Sequence, residues 1–160
     1  MRENGHHEKA IENYTKNINR SDGWIEDKVY ACINRADCYR MIGDTANELA
    51  SLMESFRFSK TPRPETCSRI GYHFHDKKEW KPAIFWYELA TNLENDPNKW
   101  SFTYPAYATW YPHLQLCVCY YQLKDYQKSY EHNEKAREYR PEDERILANK
   151  KLLENKLNLK

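Results

Sequence analysis

The chain has 160 residues, of which 25 are basic and 24 acidic, for a formal net charge of +1. That balance gives no electrostatic footprint for DNA, RNA or an anionic membrane. Four glycines are too few for a glycine-rich phosphate loop, and no run of about 18 apolar residues could span a bilayer. The 13 tyrosines and 5 tryptophans suit thin helical layers, in which the core is a stripe and the rest is surface.

Residues 1–5 read as the tail of one helix and 6–19 as its partner, with Ala10, Ile11, Tyr14 and Ile18 as the apolar stripe. Nothing precedes that stripe to cover it, so the chain is expected to be the end of a longer polypeptide. Ser21-Asp22-Gly23 breaks the chain. Residues 24–41 form the next expected helix, with Ile25, Val29, Cys32, Ile33, Ala36 and Tyr39 inward. Gly43-Asp44 turns it, and 45–58 returns with Leu49, Leu52, Met53 and Phe56 inward. Pro62 and Pro64 stiffen a loop. Residues 65–76 follow, with Cys67, Ile70, Gly71 and Phe74 inward. Gly71 costs about 1 kcal/mol in a helix interior, which points to a close helix contact there. Residues 80–93 return; Pro82 is tolerable only in the first turn.

Residues 98–109 are an aromatic insertion. With its flanks it carries Trp100, Phe102, Tyr104, Tyr107, Trp110 and Tyr111, stiffened by Pro97, Pro105 and Pro112. Residues 112–123 then give a face of Leu114, Leu116, Cys117, Tyr120, Tyr121 and Leu123. Lys124-Asp125 is a turn, and Asp125 is an N-cap, since its carboxylate can accept from free amides of the next turn. Tyr126, Ser129, Tyr130, Asn133, Ala136 and Tyr139 mark the partner face, which Pro141 ends. Residues 142–157 form a last amphipathic helix with Ile146, Leu147 and Leu153 inward. A polar-backed helix of this kind closes the end of a solenoid.

These units repeat. The residue opening each second helix's inner face is Ala10, Glu48, Ala83 and Ser129, at intervals of 38, 35 and 46. A helix–turn–helix repeat of about 34 residues is the tetratricopeptide (TPR) pattern. The predicted fold is all-α, a TPR-type right-handed α-solenoid forming one domain over 1–160. Its repeats are placed at 1–20 (partial), 24–58, 64–94 and 110–141, with a C-terminal capping helix. Glu48 and Arg35 depart from the small or apolar residues expected at their slots.

Three stretches carry a more specific resemblance: WIEDKVYACINRADCYRMIGD, IGYHFHDKKEWKPAIFWYELATNLE and YPHLQLCVCYYQLKDYQKSYEHNEKA. Over roughly residues 5 to 150 the chain resembles the repeat region that follows the catalytic domain in bacterial family 2 glycosyltransferases. Enzymes that S-glycosylate a bacteriocin peptide are similar in layout. The resemblance implies a parent enzyme that moves a sugar from a nucleotide donor, with its catalytic domain upstream. Such enzymes hold a metal and diphosphate on an Asp-x-Asp pair, because two carboxylates must converge on one divalent ion. The sequence has no Asp-x-Asp, so no catalytic residue carries over.

His73 and His75, with Cys67 and His113, raise the question of zinc. Histidines two apart on a helix diverge by about 200° and cannot share an ion. Cys117 and Cys119 have the same fault. No metal and no cofactor is therefore expected. The five cysteines are an odd number inside helices, which reads as a reduced, cytoplasmic chain.

First helices line the groove of a TPR array. Register selects Asn34, Asp37 and Arg40, then Arg69, Tyr72 and His75, then Gln115, Val118 and Tyr121 as candidates for binding a protein or peptide. Arg40, Arg69 and Asn34 are only a partial set for holding a peptide carboxylate. The insertion is read either as a plug on the solenoid or as a contact surface. For the second reading Trp100, Phe102, Tyr104 and Tyr107 are the candidates. Self-association and docking on the parent's catalytic domain are the partners it implies. The sequence thus predicts a non-catalytic interaction domain, of a glycosyltransferase or of a free-standing adaptor.

Overall fold

The computed structural model describes residues 2–59, 61–93 and 104–159, and among these there is no β-strand. The chain divides into two compact units, Met1–Pro62 and Arg63–Lys160. The first holds α1 (Arg2–Asn19), α2 (Ile25–Met41) and α3 (Thr45–Glu54), which tightens into a 3₁₀ turn over Ser55–Arg57. Both α1 and α3 pack on α2. The second unit holds α4 (Pro64–Asp76), α5 (Trp80–Asn92), a 3₁₀ turn at Pro105–Ala108, α6 (Trp110–Gln122), α7 (Tyr126–Tyr139) and α8 (Glu144–Leu157). There each helix packs on the next in sequence.

Three turns are built alike. The amides of Gly43 and Asp44 donate to the carbonyls of Arg40 and Tyr39. Those of Lys78 and Glu79 donate to His75 and Phe74, and those of Lys124 and Asp125 to Tyr121 and Tyr120. This paired 5→2 and 6→1 bonding is the Schellman motif, which satisfies the free carbonyls at a helix end. It needs a left-handed residue: Gly43 has φ +81°, Lys78 59° and Lys124 63°. Asp44 and Asp125 then cap the returning helices, accepting from the amides of Asn47 and Lys128 at 3.1 and 3.2 Å.

The repeat register is visible in burial. Ala83, Tyr87 and Ala90 are fully buried, as are Ser129, Asn133 and Ala136, and Glu48, Leu52 and Ser55 are nearly so. Gly71 faces Tyr87 so closely that a Cβ would lie 2.9 Å from its ring carbons. The glycine is what lets α4 and α5 meet.

Several expectations are corrected. Residues 1–5 are no separate helix; α1 runs unbroken from Arg2 through Gly5. Glycine weakens a helix interior but does not end it unless the backbone turns left-handed. Ile25, Met53, Leu123, Tyr139 and Leu147, all assigned inward, are exposed. Ile25, Leu123 and Tyr139 lie at helix ends. Met53 and Leu147 each follow a buried residue, Leu52 and Ile146, and one helical step of 100° turns them out.

Each of the two departures from the repeat is satisfied locally by partners of its own. Glu48 is buried and pairs with Arg40 (Nη1 to Oε1, 2.7 Å). Arg35 is buried too: its Nε donates to Ser51 Oγ (2.9 Å), Nη1 to Thr15 Oγ1 (3.1 Å), and Nη2 pairs with Glu54. Thr15, Ser51 and Glu54 come from α1 and α3, so Arg35 on α2 ties the unit together with polar bonds. Buried charges persist where partners satisfy them in this way.

Candidate functional site

The structure places the nine groove candidates on first helices of the repeats. Asn34, Asp37 and Arg40 lie on α2 in the first unit, all half-buried. Arg40 is engaged by Glu48.

The other six lie in the second unit, on α4 and α6. Arg69 pairs with Glu65 one turn earlier (3.1 Å) and lies over the Tyr107 ring, 5.6 Å from its centroid. Tyr72 is exposed on the same helix. His75 packs edge-on against Trp80 and Tyr87 at 5.3 and 6.2 Å. Its Nδ1 lies 3.7 Å from Cys119 Sγ. Burial lowers the pKa of this imidazole, against the opposing pull of Asp76. The Cys119 thiol is pushed up to about 12, mainly by burial, so the pair does not present a reactive thiolate at neutral pH.

On α6, Gln115, Val118 and Tyr121 are half-buried. Val118 and Tyr121 line an apolar cleft of about 170 Å³ with Cys117, and with Asn149, Leu152 and Leu153 of α8. Leu152 is 44% exposed, so one wall is open to a visitor. Asn149 and Leu152 were not among the sequence candidates, because the last helix reads as a cap. The signal available was a leucine beside the inward Leu153, which a pure cap would not need.

Of the insertion candidates, Trp100 and Phe102 lie outside the described residues. Tyr104 is exposed, with its ring 6.3 Å from that of Tyr107. Tyr107 is docked between Arg69 and Tyr111, whose ring centroid is 5.3 Å away. Its carbonyl accepts from Ser68 Oγ at 3.4 Å. Trp110 packs against the Leu114, Ala136 and Ile146 cluster, with Arg140 and Arg145 over its ring at 4.8 and 5.6 Å. Tyr111 borders the core built on Ala83, Tyr87 and Leu116. The described part of the insertion therefore seats on the second unit through Tyr107, Trp110 and Tyr111.

A polar cluster that the sequence reading did not assemble sits on the α6–α7 pair. His113 Nδ1 and His132 Nδ1 are 3.0 Å apart. The His132 ring stacks on Tyr120 with planes 5° apart, and the Tyr120 hydroxyl donates to Glu88. Burial first, then the charge of the other histidine and Lys135, pushes His113 down to about 4. Burial and Lys135 do the same to His132, with Glu131 opposing.

The helix pairing, the Schellman turns and the repeat register together define an all-α, TPR-type repeat protein. Comparison with known proteins agrees on the fold. No protein-family model matches the sequence, and no curated protein matches it. Two crystal structures of MamA, a TPR-repeat protein, do match. One has a TM-score of 0.74 at 20% identity, covering 99% of this chain and 82% of the MamA chain. The other has a TM-score of 0.71 at 20% identity, covering 99% and 77%. At that identity the similarity speaks to fold and not to ligand. Among the described residues no helix is long and apolar enough to cross a membrane.

Proposed function

We propose that the chain is a non-catalytic protein-interaction domain that holds a segment of another protein against the exposed side of its first helices. The observation that carries this reading is the apolar cleft of Val118, Tyr121, Leu152 and Leu153, open on one side and next to Gln115 on the same helix face. Apolar anchors from an amphipathic segment suit such a cleft, and flanking polar side chains fix register. Arg69, Tyr72 and His75 are proposed as the remaining first-helix positions of this groove in the second unit, and Asn34, Asp37 and Arg40 as contact positions of the first unit taken by itself. Tyr104 and Tyr107, with Trp100 and Phe102, are proposed as a further contact surface from the insertion. Peptides selected against the protein from a random display library test the groove. Binding should fall at least tenfold in Leu152→Glu and Val118→Asp while the helical circular dichroism is kept. Selected peptides that bind both variants as well as the parent protein would remove the cleft from the reading.

The parent context is a separate proposal, supported by the sequence resemblance alone. We place the chain as the C-terminal repeat region of a bacterial, cytoplasmic family 2 glycosyltransferase. Five free cysteines fit a reducing compartment. The rival is a free-standing adaptor, with which the fold is equally compatible. The genomic reading frame upstream of Met1 separates them: a glycosyltransferase domain there supports the first, and an unrelated frame supports the second.

A further inference from the structure

We propose that the cleft between α6 and α8 takes an acidic amphipathic helix of another protein, which sets one large apolar side chain into the cleft and a carboxylate, one helical turn away, against Lys156. The inference rests on the interaction-domain reading above and names the chemistry of the partner. That the visitor is a helix follows from what the walls can offer. Both are helices, whose main-chain N–H and C=O groups are bonded internally. An extended peptide draws its affinity from adding a strand to a sheet edge, and there is no strand among the described residues. A helical visitor satisfies its own backbone and is held by side chains alone. Size then sets the anchor. A cleft of about 170 Å³ falls below the roughly 300–1,000 Å³ of small-molecule pockets and suits a single branched or aromatic side chain.

Charge sets the anchor's neighbour. No carboxylate lines the cleft. Lys156 follows Leu152 by four residues and Leu153 by three, so it stands on the same face of α8, one turn further on. It is exposed, and its ammonium lies 5.6 Å from the centroid of the Tyr126 ring, which is itself 5.3 Å from the ring of Tyr121. Tyr121, Tyr126 and Lys156 thus close one end of the cleft with a cation. Among the described residues Lys156 has no carboxylate at ion-pair distance. The nearby acids are engaged elsewhere. Glu154 meets Lys150 at 3.8 Å, and Asp125 caps α7 and meets Lys128 at 3.9 Å. Lys124, exposed in the turn three residues after Tyr121, adds charge of the same sign. Lys151 does not, because a step of 100° per residue carries it to the far side of α8 from Asn149 and Lys156. Side chains four apart on a helix are neighbours about 5–6 Å apart. An apolar residue and a Glu at that spacing on the visitor therefore match Leu152 and Lys156 together.

The test is a bead library of alanine-based helical peptides of about 15 residues, acetylated and amidated so that no terminal carboxylate takes part. Each carries a central Leu, Ile or Phe, with Glu, Gln or Lys at the positions three and four residues away. The labelled full chain selects from the library, and fluorescence anisotropy measures the peptides recovered. We expect Glu at those positions. Replacing it by Gln should weaken binding about two- to fivefold, the range of a solvent-exposed ion pair, and added NaCl should erase the difference. Lys156→Met should bind the Glu and Gln peptides alike, and Lys156→Arg should restore the preference; both alter an exposed side chain and should keep the helical circular dichroism. Leu152→Glu separates this proposal from the reading beneath it. Peptides that lose binding there but carry Gln or Lys as readily as Glu, or that keep their Glu preference in Lys156→Met, leave the cleft standing and overturn the acidic partner. Peptides that bind Leu152→Glu as well as the unmodified protein, or a library without binders, remove the cleft and the proposal with it. Self-association of the chain that Leu152→Glu abolishes would make the occupant a second copy and overturn the proposal as well.

Discussion

Arg40 and Glu48 show what a single position can and cannot announce. The slot that holds alanine or serine in the other repeats holds a carboxylate here, 5% exposed, and the helix pair closes because Arg40 reaches it at 2.7 Å. Removing one member of a buried ion pair costs more than the pair itself contributes, because the remaining buried charge loses its neutralising neighbour. Arg40→Leu is therefore expected to destabilise by about 3 kcal/mol. Glu48→Ala restores the small residue and frees the partly exposed arginine to reach water, so it should be close to neutral. The double variant should recover most of the loss, which urea midpoints of the three proteins would show. A double variant no more stable than Arg40→Leu would mean that Arg40 matters through other contacts. Gly71 was legible in the sequence because a glycine inside a helix asks for a reason, and Tyr87 supplies it. The Arg40–Glu48 pair was not, because register marks a misfit but does not name its partner. His113 and His132 were hidden for the same reason. Their numbers are nearly symmetric about the turn at Lys124, as are Cys117 and Ser129, but symmetry alone does not say that two rings touch.

The helices themselves were the most legible elements. Periodicity placed α2 and α4 to α7 within a residue or two, because each has a long apolar stripe and a turn or proline at its end. Turn chemistry was only half visible. Gly43-Asp44 reads as a turn, whereas Lys77-Lys78-Glu79 and Lys124-Asp125 place a lysine where the same motif needs positive φ. A side chain in the left-handed region costs on the order of 1 kcal/mol that glycine does not. Lys124 is exposed, and its substitution removes no packing. Lys124→Gly is accordingly expected to stabilise the second unit by about 0.5–1 kcal/mol, the glycine's greater freedom in the unfolded chain taking back part of the gain. Gly43→Lys should move the first unit the other way. Paired thermal melts check both signs, and a loss of stability in Lys124→Gly would show that the lysine side chain contributes something the turn geometry does not reveal. The end helix illustrates the opposite error. Its polar composition suggested a plain cap, but Leu152 leaves that surface and joins Val118 and Tyr121 in the cleft.

For the molecule as a whole, a repeat protein's stability is close to a sum of neighbouring interfaces, so the place of the insertion in that sum can be tested residue by residue. The extra residues between α5 and α6 lengthen the chain without interrupting the packing of α5 on α6. Their composition predicts an ordered segment, since a flexible connection would favour glycine and serine, and of that segment the structure describes residues 104–109. What composition could not tell is which rings anchor and which remain outside. In the structure Trp110 closes the junction of α6, α7 and α8 over Leu114, Ala136 and Ile146, with two arginines on its face. Tyr104 is 54% exposed, with its ring 6.3 Å from that of Tyr107. Trp110→Ala is expected to cost about 2–4 kcal/mol and to lower the melting temperature by several degrees. Tyr104→Ala should leave it within about 1 °C, as is usual for a surface change. If the insertion is also a contact surface, Tyr104→Ala will weaken association in sedimentation experiments at unchanged melting temperature. Equal destabilisation by the two variants would instead make Tyr104 part of the packed segment and leave the insertion without a surface to offer.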